Sequence, residues 1–460
     1  MRPAPAQAVT ANGATMRLIH TSDWHLGRTL HGESLAEHHD AFLGWLVDQA
    51  VACQAGAVLV AGDVYDRAVP PLDAVALLDK TLAAFARARI PLVLTSGNHD
   101  SPVRLGFGSA ISEAAGIHLR TTVADITRPV ILSDAHGEVG IYGIPYLLPD
   151  AVMDELGAER SHASVLAAAS ARIRADASAR GLSRTVVLAH ALVTGAQLSE
   201  SERDIRVGGV ADAPAAVLDG CCYLALGHLH GPQRVPVAGS TTTARYSGSP
   251  LAFSFAERNQ RKSVTLAEID GAGNVTTHLL PAPVPRPLKE VKGRLADLLA
   301  RADGDLAGLA GAWVKAVLTD RERPVAPMEQ LREKWPHTIA LDFAPEGGLT
   351  RAAADLARLA RVADPVEICG SFVEYVAGAP PDAAQVAVLR DVVETAQRAD
   401  DELARAQGTS RKSQACCASA GRAPRGVVVV GHSSAMDSSS ALRSIPPATA
   451  RDGEDLRDVP

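Results

Sequence analysis

The chain has 460 residues, a formal net charge of −7, and 47% hydrophobic against 21% charged residues, an ordinary globular balance with room for two domains and extras. The negative total excludes a global basic field of the kind that marks many nucleic-acid binders, although a metal site would carry its own local positive charge. No apolar run is long enough to span a bilayer, and residues 1–15 lack the apolar core of a secretory signal.

In chain order, residues 1–15 are expected to be a disordered extension or to precede the true start at Met16. From residue 16 to about 280 the pattern alternates strand-like and helix-like stretches, which sets the bounds of a first domain. Apolar runs at Met16–Ile19, Ala57–Ala61, Pro91–Thr95, Thr185–Ala189 and Cys222–Leu226 read as buried strands. Leu35–Ala52 and Pro71–Ala88 have helical spacing, and 151–180 reads as one further helix ending near Gly181. Val235–Ile269 reads as short strands around turns, broken at Ser247–Pro250. The proline-rich 281–287 is a linker by composition. A helix near Gly293–Ala302, a strand at Ala312–Thr319, a helix near Met328–Lys334 and a strand at Thr338–Phe343 then predict a small α+β domain over 288–347. Within a C-terminal helical segment, 348–408, the helix Asp382–Gln407 is closed by Gly408. Residues 409–460 shift to a composition expected to be disordered, with Val427–Val430 an isolated apolar run. Six cysteines without repeated CxxC spacing favour reduced thiols in a cytoplasmic protein over a zinc site or disulfide framework.

Five polar motifs carry the chemistry: Asp23 with His25, Asp63 with Asp66, Asn98 with His99 and Asp100, His190, and His228 with His230. Each follows one of the five apolar runs, so every candidate ligand is placed just beyond the C-terminal end of a strand, where open sheets bind ligands. Together they offer oxygen and imidazole donors in the mix that two hard-to-borderline divalent cations need. Two metals can neutralise and hold a phosphodiester, and a carboxylate shared between them is required, for which Asp63 is the natural choice. Residues two apart on an extended stretch point the same way, which pairs Asp23 with His25 and His228 with His230. Asn98 adds a neutral oxygen. Gly62, Gly97 and Gly227 each precede a ligand, where a turn off the strand would use freedom in φ. The ten histidines outside the motifs, His38, His39 and His162 among them, are read as packing or surface residues.

In this order the motifs resemble the calcineurin-like metallophosphoesterases. The resemblance implies a first metal on Asp23, His25, Asp63 and His230, and a second on Asp63, Asn98, His190 and His228. It makes His99 a non-ligand that contacts the scissile phosphate and protonates the leaving oxygen, and Asp100 the residue that orients it; Asp66 is read as an acid that fixes its neighbours rather than binding metal. Further stretches narrow the likeness: Thr21–Gly27, Ala61–Asp66, Ser201–Asp204, Ala225–His230 with Pro232 and Gln233, Tyr246–Pro250, Phe255–Glu257, Lys262–Val264, Arg286–Leu288, Leu318–Asp320, Arg323–Pro324 and Trp335–His337 resemble the SbcD family, the nuclease subunits of bacterial SbcC–SbcD complexes.

That likeness implies a four-layer α/β sandwich of two facing sheets flanked by helices, a small α+β capping domain over 288–347, and a C-terminal segment that docks on the coiled coil of an SbcC-like ATPase. It implies a Mn2+-dependent nuclease, a 3′→5′ exonuclease on duplex DNA and an endonuclease on single strands and hairpins, acting in DNA repair, recombination and replication. A homodimer within a heterotetramer, located in the cytoplasm at the nucleoid, is expected as well. The chain has no GxxxxGK[ST] loop, so ATP hydrolysis would belong to the partner. Arg321, Arg323, Arg332 and Lys334 either touch a phosphate backbone or form a solvated face with Glu322 and Glu333. Two other classes share the ligands: a small-molecule phosphodiesterase, which has no need of the capping domain, and a tether that holds DNA ends without cutting.

Overall fold

A computed structural model describes residues 15–194, 213–345, 364–377 and 379–406. The expected extension before residue 15, the stretch Ser201–Asp204, the run Val427–Val430 and the tail 409–460 lie outside the described residues.

The chain opens with β1 (Met16–Thr21), a small ribbon of β2 (Thr29–Leu30) and β3 (Glu33–Ser34), then α1 (Ala36–Ala52), β4 (Ala57–Ala61), α2 (Leu72–Ala88) and β5 (Leu92–Thr95). Two short helices, α3 (Pro102–Leu105) and α4 (Ser109–Glu113), lead to β6 (Ile117–Arg120), β7 (Val130–Asp134) and β8 (Gly137–Ile144). The stretch expected as one helix is two, α5 (Pro149–Leu156) and α6 (His162–Arg180). Gly157 in the left-handed region at φ 65° ends the first, and the Ser161 side chain accepts from the Ser164 N–H to start the second. Then come β9 (Arg184–His190), β10 (Tyr223–Gly227), β11 (Gln233–Val235), β12 (Thr243–Tyr246), β13 (Ser263–Ile269) and β14 (Val275–Pro281).

These strands build two six-stranded sheets, ordered β14-β13-β1-β4-β5-β6 and β11-β12-β10-β9-β8-β7. In the first, β1, β4, β5 and β6 run parallel, with β13 antiparallel to β1. In the second, β8, β9, β10 and β12 run parallel between antiparallel edge strands. The apolar runs are continuous because both faces of each sheet are covered. Leu18, Ala57, Leu59, Val186, Leu188, Tyr223 and Ala225 fill the layer between the sheets. Their chain neighbours Ile19, Val58 and Val60 pack outward under α1 and α2, and Val187, Leu224 and Leu226 outward under α6. This is the expected four-layer sandwich.

Past β14, the Ala282 N–H donates to the Lys262 carbonyl at 2.9 Å and the Trp313 N–H to the Pro287 carbonyl at 2.9 Å, so both ends of the proline-rich stretch are tied down. A third sheet is parallel: β15 (Leu288–Gly293), β16 (Trp313–Leu318) and β17 (Thr338–Phe343), with α7 (Leu295–Arg301) and α8 (Pro327–Lys334) between the strands. Leu298, Leu331 and Trp335 are buried against it, and the Trp335 indole N–H donates to the Leu306 carbonyl at 3.2 Å. β15 has no counterpart in the sequence reading. It is an edge strand with three exposed charged residues, Lys289, Glu290 and Lys292, and too little apolar alternation to register.

The described residues fall into two units, one within Met1–Arg358 and the other within Leu359–Pro460. The second contains α9 (Pro365–Ala377), which the sequence reading did not assign, and α10 (Ala383–Ala406). Asp382 and Gln385 cap α10 reciprocally, each side chain accepting the other's backbone N–H at 2.8 and 2.9 Å. Among the described residues no helix is long and apolar enough to cross a membrane. The four described cysteines, Cys53, Cys221, Cys222 and Cys369, are free thiols.

Candidate metal centre

The first sheet delivers Asp23 and His25 past β1, Asp63 past β4, and Asn98 and His99 past β5. The second delivers His190 at the end of β9, and His228 and His230 past β10. All five motifs meet where the C-terminal ends of the two sheets face each other. The loops after β1 and β4 continue the sheet as a ladder: Asp23 N–H to Gly62 O at 3.1 Å, His25 N–H to Asp63 O at 3.0 Å, and Leu26 N–H to Val64 O at 2.9 Å. Those bonds hold backbone that side chains rarely adopt, with φ 54° at Asp23, 48° at His25 and 48° at Asp63; His228 stands at 111°. Each such residue costs about 1–3 kcal/mol and persists where its surroundings over-determine it.

Of the three glycines before ligands, only Gly62 uses a left-handed φ, at 79°. Gly97 and Gly227 are there for room. A Cβ at Gly97 would stand 2.1 Å from Asp63 Oδ1, and one at Gly227 1.7 Å from the Ala61 carbonyl oxygen.

Three sets of side chains bring their donor atoms within 4.8 Å of one another: Asp23 with His25 and His230, His25 with Asp63 and His99, and Asp23 with Asp63 and His190. Asp63 Oδ2 lies 3.7 Å from His25 Nε2 and 3.4 Å from His190 Nε2, and Asp63 Oδ1 accepts the His99 N–H at 2.9 Å. Asp23 accepts from the His228 N–H at 3.1 Å and from the Ser22 hydroxyl. Asn98 Oδ1 faces His190 Nε2 at 2.8 Å and His228 Nδ1 at 3.3 Å.

The chemistry of this donor set fits divalent cations. His190 Nδ1 is bonded to the Ala61 carbonyl at 2.9 Å, which places the ring proton there and leaves a lone pair on Nε2, facing the Asn98 oxygen. His230 Nδ1 faces Glu257 Oε1 at 3.4 Å, so its Nε2 lone pair points to His25 Nε2, 3.2 Å away. Acceptors converging at these distances repel unless a cation lies among them. Burial first, then the neighbouring imidazoles, holds His25 and His228 well below the usual histidine range and therefore in the neutral, ligating form. Burial likewise raises the Asp23 carboxyl, a penalty that an adjacent cation would offset.

Of the two supporting carboxylates, Asp66 stands behind the His25 ring as expected, whereas Asp100 makes other contacts. Asp100 does not reach the His99 ring; its carboxylate accepts the N–H groups of Val64 at 3.0 Å, Tyr65 at 2.8 Å and Gly97 at 2.9 Å, pinning the loops that present Asp63 and Asn98. Burial and then the nearby Asp63 push its pKa to about 7. His99 is oriented instead by Asp66, whose carbonyl is 2.8 Å from His99 Nδ1 while its carboxylate lies 3.5 Å from His25 Nδ1 and 3.3 Å from the Arg28 guanidinium. His39, read as a packing residue, is buried with Nε2 bonded to the Trp24 carbonyl at 2.8 Å.

Glu257 and Lys262, for which the sequence alone suggests no role, form a buried ion pair directly behind His230. The available signal was that both lie in stretches resembling the family, Phe255–Glu257 and Lys262–Val264, within a segment read as short strands around turns.

Residues 16–138 match the calcineurin-like phosphoesterase family, and residues 284–375 match the type 5 capsule protein repressor C-terminal domain. The chain is 34% identical to the SbcD subunit of the nuclease SbcCD from Rhodobacter capsulatus, across 75% of this chain and 89% of that one. Its namesake from Escherichia coli is 33% identical across 67% of this chain and 79% of its own length. That of Staphylococcus saprophyticus is 29% identical across 71% and 84%. A likeness of this extent, spanning the phosphoesterase core and the domain beyond it, places the chain in the SbcD family of nuclease subunits, hydrolases of phosphodiesters that work with divalent metals.

Proposed function

We propose that this chain is the Mn2+-dependent DNA nuclease of an SbcC–SbcD-like complex, cutting duplex ends 3′→5′ and single strands and hairpins endonucleolytically in repair, recombination and replication. The observation that carries the reading is Asp63, whose one carboxylate oxygen lies within 3.7 Å of an imidazole from each of two donor groups. Asp23, His25, Asp63 and His230 would hold one cation, and Asp63, Asn98, His190 and His228 the other. When bound, the pair neutralises the phosphate and lowers the pKa of water toward neutral.

The remaining work falls to the protein's own groups. His99 Nδ1 donates to the Asp66 carbonyl, which leaves Nε2 to carry a proton to the departing oxygen. Asp63 accepts the backbone N–H of His99, so the shared carboxylate and the acid move as one unit. Arg28, with its guanidinium 4.7 Å over the Phe253 ring, steadies Asp66 and through it His99. In this reading residues 16–280 form the nuclease domain, 288–347 its cap and 348–408 the partner-docking segment.

Two apolar surfaces support the assembly. Val69, Leu72, Val103, Phe107 and Ile111 are exposed around α3 and the start of α2, where the Arg104 guanidinium donates to the Ala68 carbonyl at 2.9 Å. This face suits a second copy of the chain, giving a homodimer within a heterotetramer. On α10, Val388 and Val392 are exposed four residues apart, as a helix docking on an SbcC-like coiled coil requires. A cytoplasmic, nucleoid-associated location follows from the DNA substrate.

The test is digestion of end-labelled hairpin and duplex DNA by the purified chain with Mn2+, alone and with an ATP-hydrolysing SbcC-like partner. Hairpin nicking by the chain, extended to duplex ends by partner and ATP, is the expected result. Hydrolysis of a small phosphodiester with DNA left intact in both reactions would move the function to the small-molecule class.

A further inference from the structure

Glu257 sits on a 3-10 turn, Phe255–Asn259, and its side chain is wholly buried. Oε1 faces His230 Nδ1 at 3.4 Å, and Oε2 accepts from Lys262 Nζ. Lys262, 4% exposed, also donates to the His230 carbonyl at 3.0 Å, Ser249 Oγ at 2.9 Å and Gln260 Oε1 at 2.8 Å. One ammonium therefore grips both the backbone of His230 and the carboxylate behind its ring. Phe253 closes the third side, edge to face, at 5.3 Å between ring centroids.

A buried ion pair is rarely the most stable filling for such a space, since well-packed apolar residues of similar volume do as well or better. What this one does is fix a direction. With the proton on Nδ1 facing an anion, His230 presents Nε2 to the site, held there as a donor toward a cation. In the second donor group, by contrast, it is the neutral Ala61 carbonyl that stands behind His190. On the first group's other imidazole, His25, a carboxylate of Asp66 again stands behind the ring, at 3.5 Å.

We propose that Glu257, held by Lys262, is a positioning residue that sets the tautomer and aim of His230 and makes the metal position containing His230 the tighter of the two. This rests on His230 being a ligand, and the experiment separates the two claims. Mn2+ is titrated by calorimetry and electron paramagnetic resonance into the chelator-stripped full chain, its Glu257→Gln variant, a Glu257→Leu/Lys262→Met variant and His230→Ala. The double variant removes both charges at similar volume, so a folding defect from an orphaned lysine does not obscure the result.

Wild type is expected to bind two Mn2+ with unequal affinity. Both Glu257 variants should weaken the tighter position by about 10–100-fold and leave the other unchanged, the usual effect of losing a carboxylate behind a histidine ligand. A merely structural role would weaken both positions together or neither, and either pattern overturns the proposal. If His230→Ala loses one position while the Glu257 variants keep wild-type affinities, only the role of Glu257 falls. If His230→Ala also binds as wild type, the ligand assignment itself falls and takes the proposal with it.

Discussion

Replacing Gly227 by alanine tests whether the two sheets meet as closely at the site as the structure has them. The added Cβ would stand 1.7 Å from the Ala61 carbonyl oxygen, 2.8 Å from its carbon and 3.0 Å from the Ser22 Cβ. Ordinary contacts lie at about 3.5–4.0 Å, so the ends of β10 and β4 would have to part by about 2 Å. Both obstacles are backbone-bound, which puts the cost at the top of the usual overpacking range, about 3 kcal/mol. At about 2 °C per kcal/mol for a large domain, the metal-free chain should melt about 6 °C lower. The same Ala61 oxygen anchors His190 Nδ1 at 2.9 Å, so Mn2+ binding at the position containing His190 should weaken as well. Gly44→Ala is the control: Gly44 lies in α1, is exposed, and has nothing within 4 Å of an added Cβ. There the substitution should stabilise by about 0.5–1 kcal/mol. Thermal melts and Mn2+ titrations of both variants are the assay. A Gly227→Ala chain that melts within about 2 °C of wild type and binds Mn2+ normally would refute the close approach.

His99→Gln should keep both Mn2+ ions and lose about 10²–10⁴-fold in DNA cleavage; turnover equal to wild type, with metal confirmed, removes His99 from the reaction. Phe107, 88% exposed, should be replaceable by Glu with stability changed by no more than about 0.5 kcal/mol. Sedimentation should then find a dimer for wild type and a monomer for the variant, and a variant that stays dimeric rules this face out. Trp335→Ala empties a fully buried indole site next to the parallel three-stranded sheet, so urea unfolding should register a loss of about 3–5 kcal/mol. A loss below about 1 kcal/mol would mean the pocket collapses around the change.

The site was legible because its proposed ligands follow strands that are apolar on both faces. Ala57–Ala61 is buried at all five residues, and such a run ending in Gly62 and Asp63 announces both a central strand and the point where the chain leaves it. The reasons for its glycines were less legible, since φ at Gly62 and clearance at Gly97 and Gly227 look alike in a sequence. Asp100 next to His99 suggested a direct contact, yet its carboxylate turns to three backbone N–H groups, one of them two residues before Asp66. The pair Glu257 and Lys262 could not be placed because its meaning depends on His230, brought close by tertiary folding. β15 and the break at Gly157 escape the sequence for local reasons: half of the edge strand is charged, and an alanine-rich helix run conceals a single glycine stop.

The seven side chains assigned to the metals run from Asp23 to His230, and the bond from the His228 N–H to Asp23 joins positions 205 residues apart. β13, which covers the open edge of β1, is not complete until Ile269. During synthesis, therefore, a chain emerging from the ribosome cannot close the site until more than half of its length has been made. A product stopped short of His228 has the earlier phosphoesterase motifs but not the point where all five meet. Phosphodiester cleavage is thereby withheld from unfinished copies by the topology of the fold.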